Sequence, residues 1–222
     1  MNKAYDVYST INNENKEEVI KKSATILRTA SGIIEYIQTR ELPRWTELPS
    51  DRPIEINASI CQCLQDYCIL TSQALTVRKG IESGTSKQTL AKLTMDIWNK
   101  SITMDKTFKS FNKDIVKDLN LSWKSYLQVQ QNYSKSYVFK YMGEQSYSDS
   151  KFGLAVSYLN VASDSLKSIT PSIIKDLSIY KKLIDDAKDD IEHVKRSFVN
   201  ENNHIYYQVF IYLVNCFLLI FM

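Results

Sequence analysis

Apolar residues along this chain recur at steps of three and four, in blocks divided by short polar, proline-bearing or glycine-bearing stretches. From Asn15 to Leu42, residues Val19, Ile20, Ile26, Leu27, Ala30, Ile33, Ile34 and Ile37 predict a helix with one buried stripe. Pro43, Pro49 and Pro53 lack the N–H a helix needs, so LPRWTELPSDRP reads as a rigid loop expected to pack Trp45 back on the body. A second helix follows from Glu55 to Glu82 with Ile56, Ile60, Leu64, Tyr67, Leu70, Val77 and Ile81 inward, and Ser83-Gly84 stops it. Thr85 with Gln88 three residues later has the form of a capping box that opens a third helix. Its stripe of Leu90, Leu93, Ile97, Trp98, Ile102, Phe108 and Phe111 extends towards Ile115. NLSW opens a fourth, rich in Trp123, Tyr126, Leu127, Tyr133, Tyr137 and Tyr141, which is expected to end at Gly143. A fifth turns Phe152, Ala155, Val156, Leu159, Ala162 and Leu166 inward. Thr170-Pro171 then supplies an N-cap and a proline at the first helical position for a sixth that runs to Val199.

No alternating run of β-branched residues is long enough for a strand, so the pattern predicts an all-α protein of long antiparallel helical hairpins. The hairpin MGEQSYSDSKFGLAVSYLNVA puts Gly143 at a turn, followed by Tyr147, Phe152, Ala155, Tyr158 and Ala162. That order resembles the turn and second helix of a tetratricopeptide repeat. Only one copy is present, which fits a single repeat-like hairpin in a larger helical body, and an ordinary amphipathic hairpin remains the alternative.

Composition narrows function by exclusion. With 44% hydrophobic and 24% charged residues, 222 residues suffice for one domain with a sizeable core. The 28 basic and 25 acidic residues are interspersed, so the net charge of +3 forms no basic stripe for nucleic acid. The N-terminus has no apolar signal core, which points to the cytoplasm. Cys61, Cys63 and Cys68 are close in sequence. At about 100° per residue, however, Cys63 points away from the face that Cys61 and Cys68 share, so a metal site or cofactor is not expected and the thiols read as small core hydrophobes. An enzyme fares poorly: there are two histidines, His193 and His204, with no phosphate loop and no nucleophile motif. The carboxylates of LIDDAKDDIEHVK alternate with lysines at helical spacing and form a solvated face.

Three stretches, KKSATILRTASGIIEYIQ, TSQALTVRKG and ENNHIYYQ, stand in the order and approximate spacing of the BRO domain family, with the repeat-like hairpin between the last two. The resemblance covers Glu17 to Gln208 and is closest to the Brox branch. The family domain is longer, and its N-terminal part with a small sheet has no counterpart here, so residues 1–208 read as a partial domain. The resemblance implies a curved, non-enzymatic helical body whose concave face binds the C-terminal amphipathic helix of an ESCRT-III subunit. It further implies a cytoplasmic, endosome-associated adaptor in endosomal sorting or membrane remodelling, with peripheral membrane association. Matching the family's groove segment assigns Glu17, Thr76, Lys79, Thr89 and Leu93 to floor and rim positions. Thr76 stands where the Alix branch has a bulky aromatic, and Thr89 replaces an aliphatic residue, which makes the floor shallower. Without the resemblance, Leu93 reads as core and Lys79 as a solvated lysine. Tyr206-Tyr207 match the segment where family members leave the last long helix, a structural role. The competing readings are a generic helical scaffold for peptides and a tail-anchored helical protein.

The tail reading rests on VFIYLVNCFLLIFM, residues 209–222, which are apolar on every side apart from Tyr212 and Asn215. As a helix these residues rise about 21 Å, short of a hydrocarbon core of about 30 Å, and no charge flanks them. A core helix would show a one-sided stripe. The preferred expectation is an appended, non-native end outside the domain, with membrane contact as the alternative.

Overall fold

The computed structural model describes residues 16–45, 53, 56–111 and 122–210. Among them every regular element is a helix and none is a strand: α1 Lys16–Tyr36, α2 Ala58–Glu82, α3 Lys87–Lys109, α4 Ser122–Ser148, α5 Phe152–Lys167, α6 Pro171–Asp176 and α7 Lys181–Glu201. The all-α expectation therefore holds. Contacts divide the chain into two compact units, Met1–Thr85 with Asn99–Trp123, and Ser86–Trp98 with Lys124–Met222.

In the first unit α1 and α2 form an antiparallel hairpin. Its pairings run in opposite directions along the two helices: Gln38 with Gln62 at 3.4 Å, Arg28 Nε with Ser72 Oγ at 3.1 Å, and Glu17 with Lys79 at 3.2 Å. Ile20, Leu27, Cys68 and Leu75 are buried between them, with Ala24, Ala30, Ile34 and Tyr67 alongside. Buried Ser23, Ser31 and Ser72 keep the interface thin. All three cysteines of the ICQCLQDYC stretch are buried free thiols. Burial raises each of their pKa values, that of Cys63 to about 11, so they stay protonated and act as core packing.

Several local expectations need correction. Ile33 and Ile37 are not on the buried stripe of α1; they are 57% and 36% exposed, because at 100° per residue Ile33 lies about 140° from Ile20. Trp45 does not pack back on the body. After α1 the chain tightens through a π-turn, Ile37–Glu41, and a 3₁₀ turn, Leu42–Arg44, and leaves Trp45 extended and 45% exposed. Ile81 also faces outward. The cap of α3 is shifted by one residue: Ser86, not Thr85, accepts the Thr89 N–H at 3.3 Å and meets the Thr89 hydroxyl at 2.9 Å. Ile115, the expected limit of that helix, lies outside the described residues.

The second unit is built around α4, α5 and α7, with Val138, Phe139, Ala155, Leu159, Ala162, Ile184 and Ile191 almost wholly inaccessible. Gly143 does not end the fourth helix, which continues to Ser148. It marks a close crossing: a Cβ there would lie 3.1 Å from the Ala155 carbonyl oxygen and 3.1 Å from Leu159 Cγ. The chain actually reverses at Asp149–Lys151, where Ser150 takes φ 61°. Pro171 does sit at the start of a helix after an extended Thr170, but the sixth helix is not continuous. It breaks at Leu177 and a 3₁₀ turn, Ser178–Tyr180, before α7 begins.

Candidate functional site

The five groove candidates fall in both units. On the α1–α2 hairpin, the Glu17 carboxylate lies 3.2 Å from Lys79 Nζ and 3.0 Å from Lys21 Nζ. Hydrogen bonds from Lys21 and then Lys79 hold the Glu17 carboxyl below its ordinary pKa, and the bond to Glu17 raises that of Lys21. All three side chains are well exposed, so solvent screens the cluster. Thr76 precedes Lys79 by nearly one turn; it is half-buried, and its hydroxyl donates to the Ser72 carbonyl at 3.1 Å. In the second unit, Thr89 and Leu93 are one turn apart on α3. Thr89 is exposed and belongs to the N-cap, whereas Leu93 is half-buried.

Two polar arrangements in the second unit were not foreseen. In one, Lys140 is nearly buried and bridges Asp190 at 2.7 Å and Glu144 at 3.5 Å, while Lys87 meets the other oxygen of Glu144 at 2.6 Å. The Tyr137 hydroxyl donates to Asp190 at 3.3 Å. Burial raises the pKa of Tyr137 and Tyr141, with neighbouring Tyr133 and the carboxylates adding to it. The network ties α4 to α7.

The other is a clasp at the end of α7. A π-turn, Asn202–Tyr206, leads to Tyr207 in the left-handed region at φ 53°. Asn202 then exchanges two hydrogen bonds with the Gln208 backbone, its Nδ2 donating to the carbonyl at 2.9 Å and its Oδ1 accepting the N–H at 3.1 Å. The Gln208 side chain accepts the Gly153 N–H at 3.1 Å and donates to the Ser150 carbonyl at 3.0 Å. The Tyr206 ring stacks on Phe152 at 3.5 Å, and Tyr147 stacks on Phe198 while its hydroxyl binds Glu201. This gives Tyr206 a structural role, as expected of the pair. Asn202 is one of several polar residues in NENNHIYYQ, so nothing in the sequence singles it out as the partner of Gln208.

Among the described residues no group of three or more His, Cys, Asp or Glu could hold a metal ion. The chain belongs to the BRO1-like domain family, which matches residues 5–211. Domains of this family are non-enzymatic scaffolds or adaptors.

No curated protein matches the chain. Three solved structures are similar in fold. One is a Bro1 domain studied as the basis for endosomal targeting, with a TM-score of 0.70 and 19% identity over 96% of this chain and 55% of that one. Another is ALIX in complex with the SIVmac239 PYKEVTEDL late domain, with 0.75 and 16% over 88% of this chain and 26% of that one. A third is a complex of ALIX BRO1 with CHMP4C, with 0.74 and 16% over 87% of this chain and 50% of that one. The chain thus spans about half the length of the first and third and about a quarter of the second.

Proposed function

We propose that this chain is an adaptor domain that binds the C-terminal amphipathic helix of an ESCRT-III subunit in endosomal sorting or membrane remodelling. The observation that carries the reading is membership of the BRO1-like family together with a fold like that of ALIX BRO1, which has been solved in complex with CHMP4C. The exposed Glu17–Lys21–Lys79 cluster beside Thr76 supports it, since helix-in-groove recognition combines apolar anchors with a charged rim. Thr89 and Leu93 on α3 are a further contact set, to be tested separately. The threonine at position 76 favours the Brox branch. Recruitment to the endosome surface follows from the partner, and the protein works in the cytoplasm.

Calorimetry with a CHMP4-type C-terminal peptide tests the reading. The full chain is expected to bind, Lys79→Glu and Leu93→Asp each weakening binding by tenfold or more with an unchanged helical circular dichroism spectrum. Equal binding of unrelated amphipathic helices would make the chain a generic peptide scaffold, and unchanged affinity in both variants would remove the assigned residues from the interface. Loss of helical signal in Leu93→Asp would place Leu93 in the core.

A further inference from the structure

Arg28 stands on the seam between α1 and α2 but is not among the assigned groove residues. It is exposed, and its Nε donates to Ser72 Oγ at 3.1 Å. Ser72 is buried, and its hydroxyl in turn reaches the Ala24 carbonyl at 3.4 Å, so the acceptor that holds Nε is itself fixed. A guanidinium carries its N–H donors in a planar fork. With Nε occupied by Ser72, the terminal nitrogens Nη1 and Nη2 are without a partner among the described residues, and they are a pair that can meet both oxygens of one carboxylate. Along α1, Arg28 follows Lys21 by seven residues, and along α2, Ser72 precedes Lys79 by seven. The seam therefore has two cationic levels about 10 Å apart, Lys21 with Lys79 at one and Arg28 at the other.

We propose that Arg28, held by Ser72, is a carboxylate-binding position that selects a partner helix carrying acidic residues two turns apart, one for Arg28 and one for the Lys21–Lys79 end. The inference rests on the adaptor reading above, which supplies a helix as the partner, and adds what that helix must carry. Charge complementarity is the reason. Three cations, Lys21, Arg28 and Lys79, share the seam with the single carboxylate of Glu17, which both lysines already hold. Glu18 and Lys22 are one position further on, about 100° round α1, and offset each other in charge. Between the two levels stand only uncharged groups, Thr25, whose hydroxyl donates to the Lys21 carbonyl at 2.9 Å, and Thr76. Residues seven apart on a partner helix lie on one face at the same spacing, so a helix laid along the seam reaches both levels at once. Arginine suits the outer level because the bond to Ser72 sets the plane of its fork before the partner arrives, which a lysine cannot do.

Calorimetry of the full chain with a CHMP4C C-terminal peptide, and with a series in which each Asp or Glu of that peptide is changed in turn to its amide, tests the proposal. Arg28→Gln is expected to weaken binding of the parent peptide at least tenfold with an unchanged helical circular dichroism spectrum, and Arg28→Lys to restore only part of the loss. One amide peptide should bind the unaltered chain at least tenfold more weakly and show no further loss with Arg28→Gln, the signature of a direct pair. A carboxylate seven residues away in the peptide should couple in the same manner to Lys79→Ala. The peptide series reads the contact in the unaltered chain, so it decides the matter even where a variant loses helical signal. Full affinity in Arg28→Gln, or a loss there that no peptide carboxylate shares, would overturn the inference and leave the adaptor reading standing, with Arg28 only a tie between α1 and α2. Absence of binding between the unaltered chain and the parent peptide would overturn the adaptor reading and this inference together.

Discussion

Gly153→Ala is a small change with a calculable outcome, because the strap after α7 runs directly over it. A Cβ at this position would lie 2.3 Å from the Val209 carbonyl oxygen, 3.0 Å from the Val209 carbonyl carbon and 3.2 Å from that of Gln208. All three are backbone atoms, so the strap must retreat by about 1 Å for an ordinary contact. That movement breaks the Gly153 N–H bond to Gln208 and the Gln208 bond to Ser150, each contributing about 0.5–1.5 kcal/mol. It also unseats Tyr206 from Phe152, a ring contact of about 0.5–1.5 kcal/mol. Against this, alanine is the better helix former by at most about 1 kcal/mol, and less in the first turn of α5. The expected net effect is a loss of about 1–3 kcal/mol in urea unfolding, with rapid hydrogen exchange at the Gln208 amide. Stabilisation by about 1 kcal/mol with the Gln208 amide still protected would refute the reasoning, since the strap would then not pass over Gly153.

Other perturbations follow from the same geometry. Lys140→Met leaves Asp190 without its cation and Glu144 with only Lys87; a loss of about 2–3 kcal/mol in urea unfolding is expected, with partial recovery on adding Asp190→Asn. Ser86→Ala removes the cap of α3 and should cost about 0.5–2 kcal/mol by the same assay. The bond from Ser163 holds the Glu192 carboxyl below its ordinary pKa of 4.5, with nearby Lys195 and Lys167 helping. Its contribution is therefore complete above that value and lost as pH falls through the lowered one, so Ser163→Ala should flatten the acid limb of the stability profile. Burial raises Tyr137 and Tyr141 above their ordinary pKa of 10.0. Stability is then complete below pH 10.0 and is lost as pH rises beyond it, where the unfolded chain ionises first; their ultraviolet ionisation should coincide with alkaline unfolding, and titration near 10 in the folded protein would contradict it.

The candidate site was partly legible. The TSQALTVRKG stretch pointed to Thr76 and Lys79, but only the pairing of two helices shows that Lys79 meets Glu17, some sixty residues away in the chain. The Lys140 network and the Asn202–Gln208 clasp were not legible, because each joins residues on different elements and leaves no local period.

Local chemistry alone determined that the chain is helical. Three- and four-residue recurrence of apolar side chains has one regular solution, and prolines and caps act within a turn of where they stand, so the all-α class and the start of a helix at Pro171 could be read directly. Tertiary structure decided what periodicity leaves degenerate. Ile33 and Ile34 are adjacent and equally apolar, yet packing against α2 takes Ile34 and leaves Ile33 in water. Gly143 carries the same local signal as a helix stop, but α5 crosses so closely there that a missing Cβ serves packing, and the helix runs on. Gly153 is likewise explained only by a strap that arrives from the far end of α7, because space around a residue is set by elements its own neighbours in sequence do not specify.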